Sequence, residues 1–180
     1  MPALATPPET PAVASLLPAH LHDKEGQPFT VRALDGRDRL ALEAFYDAFD
    51  PKRAAQGLPP AGQARVERWL NQILAKGTHL AVVRGGRLVG HAMLLPMDRP
   101  GVQEYAIFLA REVRGQGVGT QVNRVMVELA RAMGIERLWL SVEPHNRAAL
   151  RSYEKAGFGF VPATIYSAEV EMELVLSPAE

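Results

Sequence analysis

The sequence predicts a mixed α/β domain whose elements run in the order β-αα-βββ-α-β-α-ββ, and three patterns predict it. Near the end, Glu169, Glu171 and Glu173 alternate with Val170, Met172 and Leu174, the two-residue period of a strand with one face buried. After Gly117, residues Val118, Val122, Val125, Met126, Leu129, Ala130 and Met133 recur on one face at helical spacing. Between residues 78 and 95, Gly85-Gly86 separates two apolar runs, as a hairpin turn does.

The remaining elements follow in chain order. Residues 1–27 are rich in Pro and Ala and hold neither period, so they predict a flexible or loosely docked tail that could be deleted at little cost, ahead of one domain over 28–180. Residues 29–34 read as a first strand. Residues 38–49, carrying Leu40, Leu42, Ala44, Phe45 and Phe49, read as a helix closed by Pro51. A turn over 57–60 leads to a second helix near 61–76, striped by Val66, Trp69, Leu70 and Ile73. Strands at 78–83 and 87–95 are followed by a third at 102–110. The helix after Gly117 stops at Gly134, a strand returns at 137–142, and a short helix over 146–156 stops at Gly157.

Composition narrows the function. Lys and Arg total 20, as do Asp and Glu, so no net field draws in nucleic acid or an anionic membrane. The absence of cysteine excludes disulfides, a thiol nucleophile and thiolate metal sites. No apolar run approaches the roughly 20 residues that span a bilayer, and the first residues lack the charged start of a signal peptide. A cytoplasmic chain is expected. His20 and His22 form an H-x-H pair with no further ligand spaced to them, so no metal is expected.

The segment from Arg111 to Thr120, REVRGQGVGT, joins a strand to a helix through three glycines, Gly115, Gly117 and Gly119. Glycines let a backbone approach an anion closely, and the unpaired N–H groups of a helix start favour negative charge, so a phosphate would fit here. Thr120 offers a hydroxyl donor. Tight strand-to-helix packing is the other reading. A dinucleotide fingerprint fails, because Thr120 stands where the third glycine belongs and no acidic residue closes the next strand; Walker A fails for want of Lys-Ser or Lys-Thr.

Arg114, Gly117 and Gly119 resemble the acyl-CoA loop of the GNAT superfamily: Arg or Gln, two residues, Gly, one residue, Gly or Ala. SVEPHNRAALRSYEKAGFGFV, residues 141–161, resembles that superfamily's later signature, with Asn146, Tyr153, Gly157 and Phe158 in place. The resemblance implies the GNAT fold, a mostly antiparallel central sheet flanked by helices, and acetyl-CoA as co-substrate. It implies that backbone from Arg114 through Gly115, Gln116, Gly117, Val118 and Gly119 to Thr120 cradles the diphosphate. The strand end at Phe108, Leu109 and Ala110 would then lie along pantetheine, with Asn146 and Tyr153 completing the cofactor site.

Acetyl transfer to an amine raises two proton problems. A lysine-like amine of pKa about 10.4 is mostly protonated near pH 7, which costs about 4 to 5 kcal/mol without a base. The departing thiolate benefits from an acid. Glu104, on the strand feeding the loop in an apolar context, is the candidate base, and the segment from Glu104 to Gly119 resembles that of bacterial protein-lysine acetyltransferases in which the matching glutamate has this role. By the superfamily resemblance Tyr153 is the acid; an exposed strand residue and a core aromatic are their structural alternatives. The acceptor, a protein lysine or a small-molecule amine, is not readable, though Phe45, Tyr46, Trp69 and Tyr166 could line its wall or equally be core. His145 adjoins Asn146, and the Glu169, Glu171, Glu173 row could attract a cationic acceptor or be a wet strand face. A homodimer is possible. The rival function is a non-catalytic acyl-CoA sensor, which needs neither Glu104 nor Tyr153.

Overall fold

The computed structural model describes residues 3–51 and 59–176, so Gly57 and Leu58 of the expected turn lie outside the described residues. One eight-stranded sheet runs β1-β2-β3-β4-β5-β6-β8-β7. Its strands are β1 (Ala19–His22), β2 (Pro28–Ala33), β3 (Thr78–Arg84), β4 (Arg87–Pro96), β5 (Val102–Leu109), β6 (Arg137–Val142), β7 (Gly159–Phe160) and β8 (Val170–Val175). The helices are α1 (Pro11–Ala14), α2 (Arg39–Asp47), α3 (Gln63–Ile73), α4 (Val118–Ala132) and α5 (Arg147–Lys155). From β2 onward this is the expected order.

Every pairing is antiparallel except β5 with β6. That parallel ladder holds only Val102, Gln103 and Glu104 against Arg137, Leu138 and Trp139. Beyond Glu104 the two strands part: β5 continues on β4 to Leu109, and β6 continues on β8 to Val142. The sheet is therefore split at its centre, just past Glu104.

Each face has its own core. Alternation along β5 sends Tyr105, Ile107 and Leu109 to the face covered by α4 and α5, where they meet Val118, Val122, Met126, Tyr153 and Phe158. Ala106 and Phe108 go to the face covered by α2 and α3, with Leu42, Tyr46, Val66 and Leu70.

Residues 11–27 correct the expectation of a tail. Val13 is buried in the α4 core, and β1 pairs with β2 from Ala19↔Val31 to His22↔Pro28. His20 and His22 thus sit on a strand, with His20 Nδ1 3.1 Å from Thr30 Oγ1. The turn between β1 and β2 is closed by Asp23, whose Oδ1 accepts from the Glu25 and Gln27 amides at 2.9 Å each. A four-residue strand has too few positions for its period to register, and the prolines around it masked the Asp23-to-Gly26 turn signal.

Beneath α2, Tyr46, His91 and His79 form a buried polar chain with one proton arrangement. His79 Nε2 lies 3.0 Å and 2.9 Å from the Ile73 and Lys76 carbonyl oxygens, so it must donate. Its Nδ1 then accepts from His91 Nε2 at 3.0 Å, leaving His91 Nδ1 to accept from the Tyr46 hydroxyl at 2.6 Å. Burial depresses the pKa of both imidazoles, so the neutral forms that this chain requires are the stable ones. The chain fastens the C-terminal end of α3 to β3 and β4.

Candidate active site

A cleft of ≈ 540 Å³ opens between α3 and the β4–β5 surface. Arg65, Arg68, Trp69 and Gln72 of α3 form one wall, and Glu104, Ala106 and Phe108 of β5 form the floor. The Glu104 carboxylate makes no hydrogen bond or ion pair among the described residues. Burial pushes its carboxyl above the usual range, while the Lys76 ammonium pulls it partly back. Trp69 reaches the cleft as expected. Phe45 and Tyr46 are instead core residues, and Tyr166 is fully exposed in the loop before β8, outside the cleft lining.

Tyr153 sits on α5 at the opposite face of the sheet, its ring against Tyr105 and Phe158 with centroids 6.2 Å and 5.8 Å away. Glu104 and Tyr153 are therefore not neighbours; they approach the split between β5 and β6 from its two sides. Burial raises the Tyr153 pKa, so its hydroxyl keeps its proton. That hydroxyl has no hydrogen-bond partner among the described residues, whereas the Tyr105 hydroxyl donates to Asn123 Oδ1 at 2.7 Å. Asn123 Nδ2 in turn donates to Ser152 Oγ at 2.8 Å. Sequence reading missed this network, although an Asn inside the apolar stripe of α4 was its signal.

At the open end of the split lies the glycine loop. Gly117 caps α4 with φ 81°, a left-handed conformation suited to glycine, and no side chain caps the helix. Among the described residues, no backbone N–H from Gly115 to Thr120 makes a well-formed hydrogen bond to the protein. Such a row of donors at the start of a 15-residue helix favours negative charge. Gly119 serves packing, since a Cβ there would lie 3.3 Å from Leu109 Cδ1 and 3.8 Å from Ser152 Oγ.

Several expected side-chain contacts are committed elsewhere. Thr120 Oγ1, expected to face an anion, lies 3.3 Å from Ser152 Oγ, and either hydroxyl can be the donor of that pair. Arg114 donates to the Leu109 and Asp50 carbonyls at 2.9 Å and 2.6 Å and stacks on Phe49 at 5.2 Å, tying the loop to α2. Gln116 accepts from Arg84 at 2.9 Å and donates to the Glu112 carbonyl at 3.0 Å. Val118 is a core residue, and the Ala110 amide donates to Val89. Asn146 caps α5, its Oδ1 accepting from Ala149 at 3.2 Å. His145 pairs with Glu143 at 3.1 Å on the surface. Glu173 pairs with Arg99 and Arg137, and Glu171 accepts from Trp139 at 2.9 Å. Among the described residues no group of three or more His, Cys, Asp and Glu side chains is placed to hold a metal, and no helix is long and apolar enough to cross a membrane.

Known proteins resemble this chain in sequence and in fold. The family model described as the acetyltransferase (GNAT) family matches residues 42–158. A mycothiol acetyltransferase from Thermobispora bispora is 30% identical over 158 residues, which are 83% of this chain and 50% of that protein. An L-methionine sulfoximine/L-methionine sulfone acetyltransferase from Pseudomonas paraeruginosa is 25% identical over 65% of this chain and 72% of its own. The chain spans half or less of the first curated relatives that it matches. Among solved structures, the GNAT domain of S. lividans PAT superposes with a TM-score of 0.75 at 20% identity, covering 93% of this chain and all of that one. A phosphinothricin acetyltransferase from Sinorhizobium meliloti, solved with acetyl-CoA, gives 0.65 at 19% identity over 84% of this chain and 94% of that one.

Proposed function

This chain belongs to the acetyltransferase (GNAT) family, and from that membership we propose that it is an acetyl-CoA-dependent N-acetyltransferase acting on a primary amine. The observation that carries this reading is the row of open amides from Gly115 to Thr120 at one end of the split sheet, with the desolvated Glu104 carboxyl at the other. The amide row fits the diphosphate of CoA: it is backbone, it points outward at a helix start, and Gly117 offers no side chain in the way. In this reading the pantetheine arm lies beside Leu109 and Ala110, where β5 and β6 have parted. Bound acetyl-CoA supplies the acyl group as an activated thioester.

In this proposal Glu104 accepts a proton from the acceptor ammonium in the cleft, and its raised pKa brings it nearer to the working pH of a base. Tyr153, neutral and without a competing partner, gives its proton to the departing sulfur from the other side of the sheet. The acceptor is a small-molecule amine that also carries an anionic group. Supporting this, Arg65 and Arg68 line the concave wall and have no acidic partner among the described residues, and residues 51–66 contain no Asp or Glu. The names of the two curated relatives above specify small molecules, mycothiol in one and L-methionine sulfoximine or sulfone in the other.

The test is acetyl-CoA with a panel of amines, following thiol release. Acceptor-dependent release, greater for amino-acid-like amines than for their amides or esters, is expected. CoA binding with no turnover on any amine would make the protein an acyl-CoA sensor instead.

A further inference from the structure

The turn between β1 and β2 lies against the glycine loop and is braced there. The Lys24 amide donates to the Gln116 carbonyl at 3.0 Å, and Gln121 Nε2 donates to the His22 carbonyl at 2.6 Å. Arg84 joins the two segments, holding Asp23 Oδ2 at 2.6 Å and Gln116 Oε1 at 2.9 Å. Asp23 is buried, and its carboxyl is fully engaged by Arg84 and by the Glu25 and Gln27 amides. These contacts fix the backbone of Lys24 relative to the N-cap of α4.

The Lys24 side chain crosses that N-cap. A Cβ on Gly117 would lie 3.1 Å, 3.5 Å and 3.2 Å from Lys24 Cγ, Cδ and Cε, so the aliphatic stem rests where any larger residue would project. Its ammonium, one bond beyond Cε, is exposed and has no ion-pair partner among the described residues. Of the nearby acids, Asp23 is held by Arg84, Glu112 lies 3.7 Å from Arg87, and Glu25 is an exposed turn residue.

Resting on the acetyl-CoA reading above, we infer that Lys24 supplies the side-chain cation for the diphosphate of CoA, which makes the β1–β2 turn part of the cofactor site. Backbone amides alone bring partial charge; a flexible ammonium over the same N-cap adds a full one, close to a dianion and away from competing carboxylates. Because Arg114 and Gln116 are tied into the scaffold, Lys24 is the cation of this neighbourhood that can turn toward a ligand without breaking a contact.

Binding of CoA, 3′-dephospho-CoA and pantetheine to wild type, Lys24→Gln and Lys24→Arg tests this by calorimetry at two salt concentrations. Lys24→Gln should bind CoA and 3′-dephospho-CoA about tenfold more weakly, the scale of one charge-assisted contact, with a shallower salt dependence. Lys24→Arg should retain most of the affinity, and pantetheine should be bound equally by all three. Unchanged CoA affinity in Lys24→Gln overturns the inference, and so does an equal loss for pantetheine, which would mean that Lys24 only shapes the loop. A loss for CoA but not for 3′-dephospho-CoA overturns the diphosphate assignment. Wild type that binds no CoA removes the proposed function itself, a result distinct from any of these.

Discussion

Glu104 combines partial burial with a carboxylate that has no hydrogen-bond or ion-pair partner among the described residues, and that makes its stability effect opposite in sign to the proposed catalytic one. Its folded pKa is raised, so between the ordinary carboxyl value of 4.5 and the folded value the native state holds the extra proton. Stability is therefore lost as pH rises through this window and stays lost above it. Glu104→Gln should consequently melt higher than wild type at pH 8, with the difference vanishing below about pH 4.5. In turnover the same variant should lose about 10²-fold in kcat and the rise of kcat with pH. A variant that melts lower and turns over normally would make Glu104 a structural residue. Tyr153→Phe removes a hydroxyl with no hydrogen bond to lose, so its melting temperature should hold while kcat falls, less so for an acyl donor with a more acidic thiol. Arg65→Ala and Arg68→Ala should raise KM for an anionic acceptor at nearly constant kcat, and an equal loss with uncharged amines would discard the anion-binding wall. Glu104 was legible in the sequence because its strand context is apolar. Arg65 and Arg68 were not, because nothing in a helix pattern tells which polar face borders a cleft.

Among the elements, those from β2 onward were read in the right order, and α1 and β1 were not. α4 and β8 announce themselves by repeated apolar positions, and the glycine loop by its spacing. β1 became visible only through its partner, since Leu21 opposite Phe29 is a tertiary fact. The cost of that omission is a reversed expectation about residues 1–24. Their removal takes away β1, the buried Val13 and the Asp23 partner of Arg84. Burial of a valine side chain is worth about 1.5–3 kcal/mol, and a domain of this size shifts by about 2–4 °C per kcal/mol, so a fall of about 3–12 °C in Tm is expected from that residue alone. An unchanged melt would return the segment to a loosely docked tail. Gly117→Asp probes the loop with less damage to the fold, because Asp tolerates the left-handed backbone better than most residues. Its carboxylate would stand among the open amides beside Lys24, and CoA affinity should fall by more than about a hundredfold, with a smaller loss in melting temperature from the left-handed backbone and the displaced Lys24 stem. Retained affinity would place the diphosphate elsewhere.

For the molecule as a whole, the Tyr46–His91–His79 chain makes the fold acid-sensitive in a direction opposite to that of Glu104. Both imidazoles are held neutral by burial, with folded pKa values below the ordinary 6.5. Their contribution is complete above pH 6.5 and is lost as pH falls toward the folded values, because the unfolded chain then binds protons that the native state cannot. Each such group gives a slope of at most about 1.4 kcal/mol per pH unit, so the pair can reach about 2.7 kcal/mol per unit. Loss in this window bears on the cleft as well, since His79 holds the Ile73 and Lys76 carbonyls at the end of the α3 wall. None of this was legible in sequence, where His79 and His91 are two scattered residues on separate strands; the Ala81↔His91 and Leu80↔Ala92 register and the packing of α2 bring them together. His91→Gln isolates the effect. A glutamine can accept from Tyr46 through its oxygen and donate to His79 through its nitrogen, preserving the polarity of the chain without a titrating group. Urea melts between pH 7.5 and 5 should show wild-type stability falling with acid and His91→Gln falling with about half the slope. If wild-type stability is flat across that range, the imidazoles are already free to charge in the folded state, and the buried, fully neutral chain is not the form present in solution.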